Sequence, residues 1–148
     1  MPHTYTNFLY HIVFSTKERY LFIKEESKPR LYDYLGGVVR GLSGISLEIG
    51  GIDDHVHLLV KLKPAMSMSK FLQDLKPNTT NWAKREIHPK FEWQDGYGAF
   101  TVSESQIEIV RRYIQNQEEH HKKFDFETEF KSLLKKSGIA FDERYLWH

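Results

Sequence analysis

The segment from Gly50 to Leu62 constrains the fold most, because it alternates as a β-strand does and carries two histidines. The apolar residues of one parity are Val56, Leu58, Val60 and Leu62. Successive side chains of a strand point to opposite faces, so these four form an apolar face, and His55 and His57 project from the other. Residues two apart on a strand are separated by roughly 7 Å at the backbone, so both imidazoles can reach one metal ion. Two surface histidines on a half-exposed strand are the alternative.

Length and composition indicate a single globular domain that spans 1–148. Hydrophobic residues make up 40% of the chain and charged residues 28%, which is ordinary for a globular protein and excludes a disordered or fibrous chain. There is no run of about 18 apolar residues, and the N-terminus has no basic region followed by an apolar one. We therefore expect a cytoplasmic protein without a membrane segment.

The lack of cysteine and the small net charge limit the chemistry further. Without cysteine, disulfides and thiolate metal sites are excluded, which leaves histidine, carboxylate, amide and water ligands for any metal. The formal net charge is +1, so any binding of nucleic acid must depend on local basic patches rather than on the field of the whole protein.

The N-terminal third predicts a strand followed by a helix. Between residues 5 and 14 both parities are apolar or aromatic, which predicts a strand in the middle of its sheet. His11 lies in this strand and is interpreted as a packed residue rather than a ligand. Ser27 followed by Pro29 begins a helix with apolar residues at helical spacing, and Gly41 marks its end.

The rest of the core predicts a ferredoxin-like order. A short strand at 46–49 joins the histidine strand in a hairpin. Ser67 or Ser69 caps a second helix, which Pro77 interrupts, and residues 91–102 supply the last strand. The predicted fold is therefore α+β: a βαββαβ, ferredoxin-like or RRM-like sandwich with a four-stranded antiparallel sheet, covering about 5–102.

Two helices are predicted after this core. The stretch from Ser103 to Gln106 is a capping-box pattern, which begins a helix at about 104–121. A charged amphipathic tail helix follows at about 126–137. In the first of these helices Tyr113 and Gln117 are four residues apart, so they lie on the same face and can meet one site together.

These residues suit metal-assisted attack on a phosphodiester. A tyrosine with a pKa of about 10 is almost fully protonated at pH 7, so as a nucleophile it needs a reactive electrophile, a base or a metal. His55, His57 and the side-chain carbonyl of Gln117 would bind Mg²⁺ or Mn²⁺ and leave positions open for phosphate oxygens. His120 and His121 follow Gln117 within a turn and are alternative ligands. A packing role is the alternative for Tyr113.

Three segments together resemble the single-strand tyrosine transposases of the HUH type, the insertion-sequence-200/605 and REP-associated group. They are residues 51–60 with the histidine pair, 94–100, and 113–121. The resemblance extends over nearly the whole chain, from the first strand to the terminal segment 142–147. It assigns His55 and His57 to the HUH pair, Tyr113 to the nucleophile and Gln117 to the third metal ligand.

This resemblance implies a metal-dependent nuclease and strand transferase of prokaryotic, nucleoid-associated type. Tyr113 would attack single-stranded DNA near a hairpin, form a 5′-phosphotyrosine link and leave a free 3′-OH. Because the link keeps the phosphoester energy, rejoining would need no ATP and no other nucleotide cofactor. The resemblance also implies a two-fold homodimer in which the tyrosine helix of one subunit completes the histidine site of the other.

Several further side chains are candidates for contacts with DNA. Arg111 and Arg112 directly precede Tyr113, and guanidinium groups can hold phosphate oxygens in a bidentate way. Lys17 and Arg19 lie in a polar loop and are further candidates for phosphate contacts. The aromatic candidates for stacking on bases, each with a core role as the alternative, are Trp93, Tyr97 and Phe100.

Two other functions fit the same residues. One is a domesticated, hairpin-specific nuclease that acts on repetitive DNA without moving its own gene, and only the flanking DNA would separate it from a transposase. The other is a non-catalytic, RRM-like module that binds nucleic acid, since this fold also serves RNA recognition. Such a module uses aromatic residues on the sheet face, where this sequence has histidines.

Overall fold

A four-stranded antiparallel sheet organises the structure. The strands are β1 (Phe8–Ser15), β2 (Ile45–Ile52), β3 (His55–Leu62) and β4 (Gly98–Val102), in the spatial order β2-β3-β1-β4. Each pair of neighbours is antiparallel, and β1 lies in the middle of the sheet. The predicted α+β fold with a four-stranded antiparallel sheet is therefore confirmed.

The structure is a computed structural model that describes residues 4–146. Met1 to His3, Trp147 and His148 lie outside the described residues, so the terminal segment 142–147 is described only as far as Leu146. Within the described range, no helix is both long enough and apolar enough to cross a membrane.

One face of the sheet is covered by α1 (Lys28–Gly41) and α2 (Met68–Glu86). Apolar residues of these helices pack with β1 and β3 to form the main core. Val56 and Leu58 belong to this core, so β3 presents to it the apolar face that the alternation predicts.

Three shorter helices cover the opposite face, which carries the histidines. They are α3 (Ile107–Gln115), α4 (Gln117–His120) and α5 (Phe126–Lys136). Helix α5 packs on Val13 of β1 in a second, smaller core. The histidine face is therefore buried rather than half-exposed.

Helix α2 continues through Pro77, so the predicted interruption is wrong. Proline lacks the N–H that would bond to the carbonyl one turn earlier. The next two side chains form hydrogen bonds with that turn, because Asn78 Nδ2 donates to the Asp74 carbonyl and Thr79 Oγ1 to the Leu75 carbonyl, each at 2.7 Å. Packing of the buried face on the sheet keeps the helix whole on both sides of Pro77.

The predicted tyrosine helix at about 104–121 is not continuous. A 3₁₀ turn at Glu104–Gln106 precedes α3, and the Ser103 side chain makes no capping hydrogen bond. The helix breaks at Asn116, where φ is −97° and ψ is 20°. Asparagine has a lower intrinsic helix propensity than most residues, which favours a break at this position. At the start of α2, Ser67 rather than Ser69 is the cap.

The last strand is shorter than the predicted 91–102. β4 covers only Gly98–Val102, and Trp93 makes only an isolated bridge to Thr16, the residue after β1. Between them the chain folds around Lys76, whose ammonium donates to the carbonyls of Gln94 and Gly96 at 2.9 and 2.6 Å. Those carbonyls bind a side chain, so the segment leaves the sheet ladder.

Candidate active site

A close approach between β2 and α3 brings the tyrosine helix over the histidines. Gly50 lies opposite His57 in the sheet, and a Cβ atom on Gly50 would lie 2.7 Å from the carbonyl oxygen of Ile114. Only glycine allows α3 to rest this near to the strand. As a result, Tyr113 lies beside the histidine pair, with its ring centroid 5.6 Å from that of His57.

The carboxylate of Glu129, on α5, lies at the centre of the site with only 1% of its side chain exposed. Its Oε1 is 3.2 Å from Nε2 of His55, 3.1 Å from Nε2 of His57 and 3.0 Å from Nε2 of His121. Glu129 is not among the site residues that the sequence predicts. A signal for it exists, because it is an acidic residue within the apolar stripe of α5, three residues after Phe126 and one before Phe130.

The second oxygen of the same carboxylate faces the tyrosine helix. The Tyr113 hydroxyl donates a hydrogen bond to Glu129 Oε2, and Gln117 Nε2 donates to the same oxygen at 2.9 Å. The amide oxygen of Gln117 then faces His55 Nε2 at 2.9 Å and His121 Nε2 at 3.1 Å. Tyr113 and Gln117 therefore meet one site, as their spacing predicts.

The outer nitrogens of the two strand histidines have their own partners. His55 Nδ1 lies 2.7 Å from Asp54 Oδ1, and His57 Nδ1 lies 2.8 Å from His11 Nε2, with the two rings stacked. Such outer contacts set the tautomer and orientation of an imidazole. His11 is thus a packed strand residue that supports His57.

Burial and hydrogen bonding act differently on the buried imidazoles. Burial lowers the pKa of His57 to about 4 and, together with the nearby His57, that of His11 to about 3. Burial also disfavours charge on His55, but hydrogen bonds to Asp54 and Glu129 outweigh it and raise its pKa to about 9. Near neutral pH, His55 is therefore charged in the metal-free protein, and His57 and His11 are neutral.

The acidic groups of the site shift in opposite directions. Burial disfavours charge on Glu129, but hydrogen bonds with His121, His55 and His57 outweigh it and hold its pKa far below the usual range. Burial, followed by the negative charge of Glu129, raises the pKa of Tyr113 well above its ordinary value. The site accordingly holds a carboxylate beside a protonated tyrosine.

The two histidines after Gln117 have different positions. His121 points into the site, where its Nε2 contacts both Gln117 and Glu129. His120 packs against the Tyr113 ring, and its Nε2 is 3.5 Å from Glu129 Oε2. Among the described residues, His120 Nε2 and His121 Nδ1 are buried without a hydrogen-bond partner.

The donor atoms suit a divalent cation. His55, His121 and Glu129 each offer one atom, and these three atoms lie within 4.8 Å of one another. Imidazole nitrogen with carboxylate and amide oxygen is a set that binds divalent metals. The structure thus brings the predicted His55 and Gln117 together with His121 and with Glu129.

The predicted DNA-binding residues are spread over the surface. Arg111 lies between Glu48 and Glu108, at 3.4 and 3.5 Å, and Arg112 is exposed on the same helix. Lys17 and Arg19 follow β1 and lie near acidic partners, with Lys17 3.3 Å from Glu92 and Arg19 3.6 Å from Glu127.

The aromatic candidates for base stacking are divided. Trp93 is buried in the main core, as its alternative interpretation holds. Phe100 packs near the smaller core, whereas Tyr97 is exposed. Trp93 and Tyr97 line a cavity of about 630 Å³ together with Lys17 and Lys76, and neither Tyr113 nor Glu129 borders it.

Comparison with known proteins gives consistent sequence matches. A family model described as "Transposase IS200 like" matches residues 4–117. The transposase for insertion sequence element IS200 of Salmonella typhimurium is 30% identical over 129 residues, which cover 82% of this chain and 84% of that protein. The ISDra2 transposase TnpA of Deinococcus radiodurans is 27% identical over 117 residues, which cover 73% of this chain and 82% of that protein.

Solved structures share the fold. A crystal structure from Deinococcus radiodurans, described as that of a transposase, has a TM-score of 0.65 at 23% identity and covers 79% of this chain and 95% of that one. A REP-associated tyrosine transposase bound to a REP hairpin has a TM-score of 0.60 at 14% identity and covers 82% and 73%. The family match ends at Gln117, so helix α5 and its Glu129 lie beyond it.

Proposed function

Because the chain belongs to the IS200-like family of tyrosine transposases, we propose that it is a metal-dependent enzyme that cleaves and rejoins single-stranded DNA at hairpins through a covalent 5′-phosphotyrosine. The observation that best supports this activity is the proximity of Tyr113, Gln117 and the His55–His57 pair around one buried carboxylate. A REP-associated relative of the same fold is described as bound to a REP hairpin, which supports hairpin DNA as the substrate class.

In the proposed site His55, His57 and Gln117 would hold Mg²⁺ or Mn²⁺. When bound, the cation supplies Lewis-acid stabilisation of the charge that develops on the scissile phosphate and on the leaving 3′ oxygen. The imidazoles suit this role because Asp54 and His11 orient them from behind. The Gln117 carbonyl is aimed at the centre of the site, since the Gln117 amide nitrogen is bound to Glu129.

Tyr113 is the proposed nucleophile. Its hydroxyl oxygen attacks the phosphorus, the bond from phosphorus to the 3′ oxygen breaks, and the product carries a 5′-phosphotyrosine and a free 3′-OH. The phenol is protonated before attack, because burial and Glu129 raise its pKa. The hydrogen bond to Glu129 orients the hydroxyl. Its proton is lost as the bond to phosphorus forms, and a proton from solvent completes the 3′-OH.

The homodimer stays a proposal, whereas we do not propose the exchange of tyrosine helices between subunits that the resemblance implies. In this chain Tyr113 lies beside its own histidine pair, so an exchanged arrangement would require α3 to move. The cytoplasmic location and the role of the four candidate basic residues in phosphate binding are also proposals. The best supported of these residues are Arg111 and Arg112, because they lie on the helix that carries Tyr113.

A domesticated nuclease remains a second candidate, favoured by the likeness to the REP-associated relative. The same residues would carry out its chemistry, so only the surrounding DNA separates the two functions. Hairpins on both sides of the gene indicate a transposase, and hairpin repeats scattered elsewhere in the genome indicate a domesticated nuclease. An RRM-like binding module is disfavoured, because helices α3, α4 and α5 cover the histidine face of the sheet.

A cleavage assay with labelled oligonucleotides tests the proposed function. Single-stranded DNA with a hairpin and a 3′-adjacent single-stranded segment is incubated with protein and Mg²⁺ or Mn²⁺. We expect a detergent-stable protein–DNA adduct that depends on the metal and on the hairpin. A panel of family-type hairpins that yields no adduct with either metal, while the protein is folded, would contradict the proposal.

A further inference from the structure

We propose that Glu129 and His121 are ligands of the metal site, so that the ion is held by a carboxylate and an imidazole from beyond the region that the family model matches. This inference rests on the proposed function, because it concerns the same divalent cation. It adds two ligands to those assigned by the resemblance and makes helix α5 a part of the metal site.

The distances between donor atoms support a single ion. Neighbouring donors of an octahedral ion with bonds of about 2.1 Å lie about 3 Å apart. Glu129 Oε1 is 3.2 Å from His55 Nε2 and 3.0 Å from His121 Nε2. Gln117 Oε1 is 2.9 Å from His55 Nε2 and 3.1 Å from His121 Nε2. The four atoms therefore form a closed ring whose edges all match this spacing.

The hydrogen-bond pattern also points to a cation. Both His55 Nε2 and His121 Nε2 face the same two oxygen atoms, one on Gln117 and one on Glu129. When His55 Nδ1 carries a proton for Asp54, its Nε2 lone pair points to the centre, as in carboxylate–histidine–metal triads. Four lone pairs then converge on one point.

Charge favours the same conclusion. The buried carboxylate of Glu129 already accepts hydrogen bonds from Tyr113 and Gln117, so what favours a cation is the charge that Glu129 adds to the ligand set. Two imidazoles and an amide are uncharged ligands, and adding Glu129 gives the set one negative charge. This charge raises the affinity for a divalent cation, since charge count is one of the properties that tune affinity at such sites.

The sequence of α5 explains how the carboxylate reaches the site. Glu129 lies within the apolar stripe, whose other members are Phe126, Phe130, Leu133 and Leu134. Packing of this stripe on β1 directs Glu129 inward with it. Binding of the ion would therefore fasten α5 to the sheet, and that consequence can be measured without DNA.

The test is Mn²⁺ binding to the EDTA-treated full-length chain, measured by calorimetry. We expect Glu129→Gln, which keeps the size of the side chain and removes its charge, to weaken Mn²⁺ binding at least tenfold. The matched control is Glu127→Gln on the same helix, which we expect to bind as the parent does. His121→Asn should likewise weaken binding, and His88→Asn, whose ring packs on Phe22 away from the site, should not.

Hydrogen exchange of the α5 backbone amides is the second readout. Mn²⁺ should slow exchange in 126–136 in the parent and in Glu127→Gln, but not in Glu129→Gln. If Glu129→Gln does not fold, Glu129→Asp serves in its place. This variant retains a carboxylate that reaches less far, and we expect weaker Mn²⁺ binding and a smaller protection of α5.

The possible failures are distinguishable. If Glu129→Gln, or Glu129→Asp where only that variant folds, binds Mn²⁺ as the parent does while His55→Ala does not, Glu129 is not a ligand and the proposed function stands. Loss of binding in Glu129→Gln with unchanged binding in His121→Asn would remove only His121 from the ligand set. A parent protein that binds neither Mn²⁺ nor Mg²⁺ would overturn both the inference and the metal mechanism.

Discussion

The hydroxyl of Tyr113 donates a hydrogen bond to Oε2 of Glu129, and this contact joins α3 to α5 across the histidine pair. The other oxygen of that carboxylate faces three imidazoles. One buried carboxylate thus connects the proposed nucleophile to the proposed metal ligands. The position of α5 on the sheet therefore affects the orientation of the Tyr113 hydroxyl and of the proposed metal ligands.

Removal of the tyrosine hydroxyl should abolish the covalent adduct and leave the fold intact. Tyr113→Phe keeps the ring that packs beside His57 and deletes the attacking atom. The adduct with hairpin DNA is measured on denaturing gels, and the control is Tyr20→Phe, an exposed tyrosine away from the site. An undiminished adduct in Tyr113→Phe would sink the assignment of the nucleophile.

Removal of either strand histidine should abolish metal-dependent cleavage but retain most hairpin binding. Hairpin binding should survive because phosphate contacts are distributed over other residues. Loss of a metal ligand should reduce cleavage by more than the ~10–100-fold that is typical for loss of an outer-shell partner. His55→Ala and His57→Ala are compared with His88→Asn in cleavage and gel-shift assays. Cleavage by either variant at the parental rate in EDTA would show that the metal mechanism is wrong.

The metal-free protein should lose stability as the pH falls from 6.5 towards 4. The folded-state pKa values of His57 and His11 are lowered to about 4 and about 3, so in this window the unfolded chain binds more protons than the folded chain. Each histidine that is protonated only in the unfolded chain lowers the free energy of unfolding by up to about 1.4 kcal/mol for each unit by which the pH falls. Their stabilising contribution is fully present above the unfolded pKa and is lost as the pH falls.

His55 acts in the opposite direction and in a different window. Its folded-state pKa is raised to about 9, so its stabilising contribution is complete below about 6.5, the unfolded value, and is lost as the pH rises through 9.

Urea unfolding in EDTA at pH 7, 6 and 5 measures the loss of stability that is expected from His57 and His11 as the pH falls. A free energy of unfolding that stays constant over that range would contradict the neutral, buried state of His57 and His11.

Gly50→Ala should destabilise the protein and displace the tyrosine helix. The new Cβ would lie 2.7 Å from the Ile114 carbonyl oxygen, and overpacking of this kind costs about 1–3 kcal/mol. Gly41→Ala is the matched control, because its Cβ would meet nothing within 4 Å. Urea unfolding compares the two, and equal stabilities would show that α3 can shift at no cost.

Mixed subunits test whether the site is shared. Tyr113→Phe and His57→Ala chains with different tags are coexpressed and purified through both tags. We expect the heterodimer to be inactive, because Tyr113 lies beside its own histidine pair in this structure. Adduct formation by the heterodimer would establish instead that α3 is exchanged, as the resemblance implies.

Local periodicity predicted much of the site. The alternation of β3 assigned His55 and His57 to the face opposite the main core, and the structure agrees. The four-residue spacing of Tyr113 and Gln117 predicted a shared site, and both contact Glu129. These predictions succeed because side-chain direction along a strand or helix depends only on neighbours one to four residues away.

Tertiary contacts decided the rest. The continuation of α2 through Pro77 depends on packing against the sheet, and the late start of the last strand depends on hydrogen bonds from Lys76 to carbonyls 18 and 20 residues away. Each overrides a local preference, because burial and side-chain hydrogen bonds outweigh the small differences in intrinsic propensity.

The sequence by itself determined the family, the strand alternation and the two histidines with their tyrosine and glutamine. Only the tertiary structure decided that Glu129 joins them. His55 and Gln117 are 62 residues apart, and His57 and Glu129 are 72 apart. No periodic pattern links such distant residues, so their meeting depends on how α3 and α5 pack on the sheet, and the ionisation of each group follows from the burial and the partners that this packing creates.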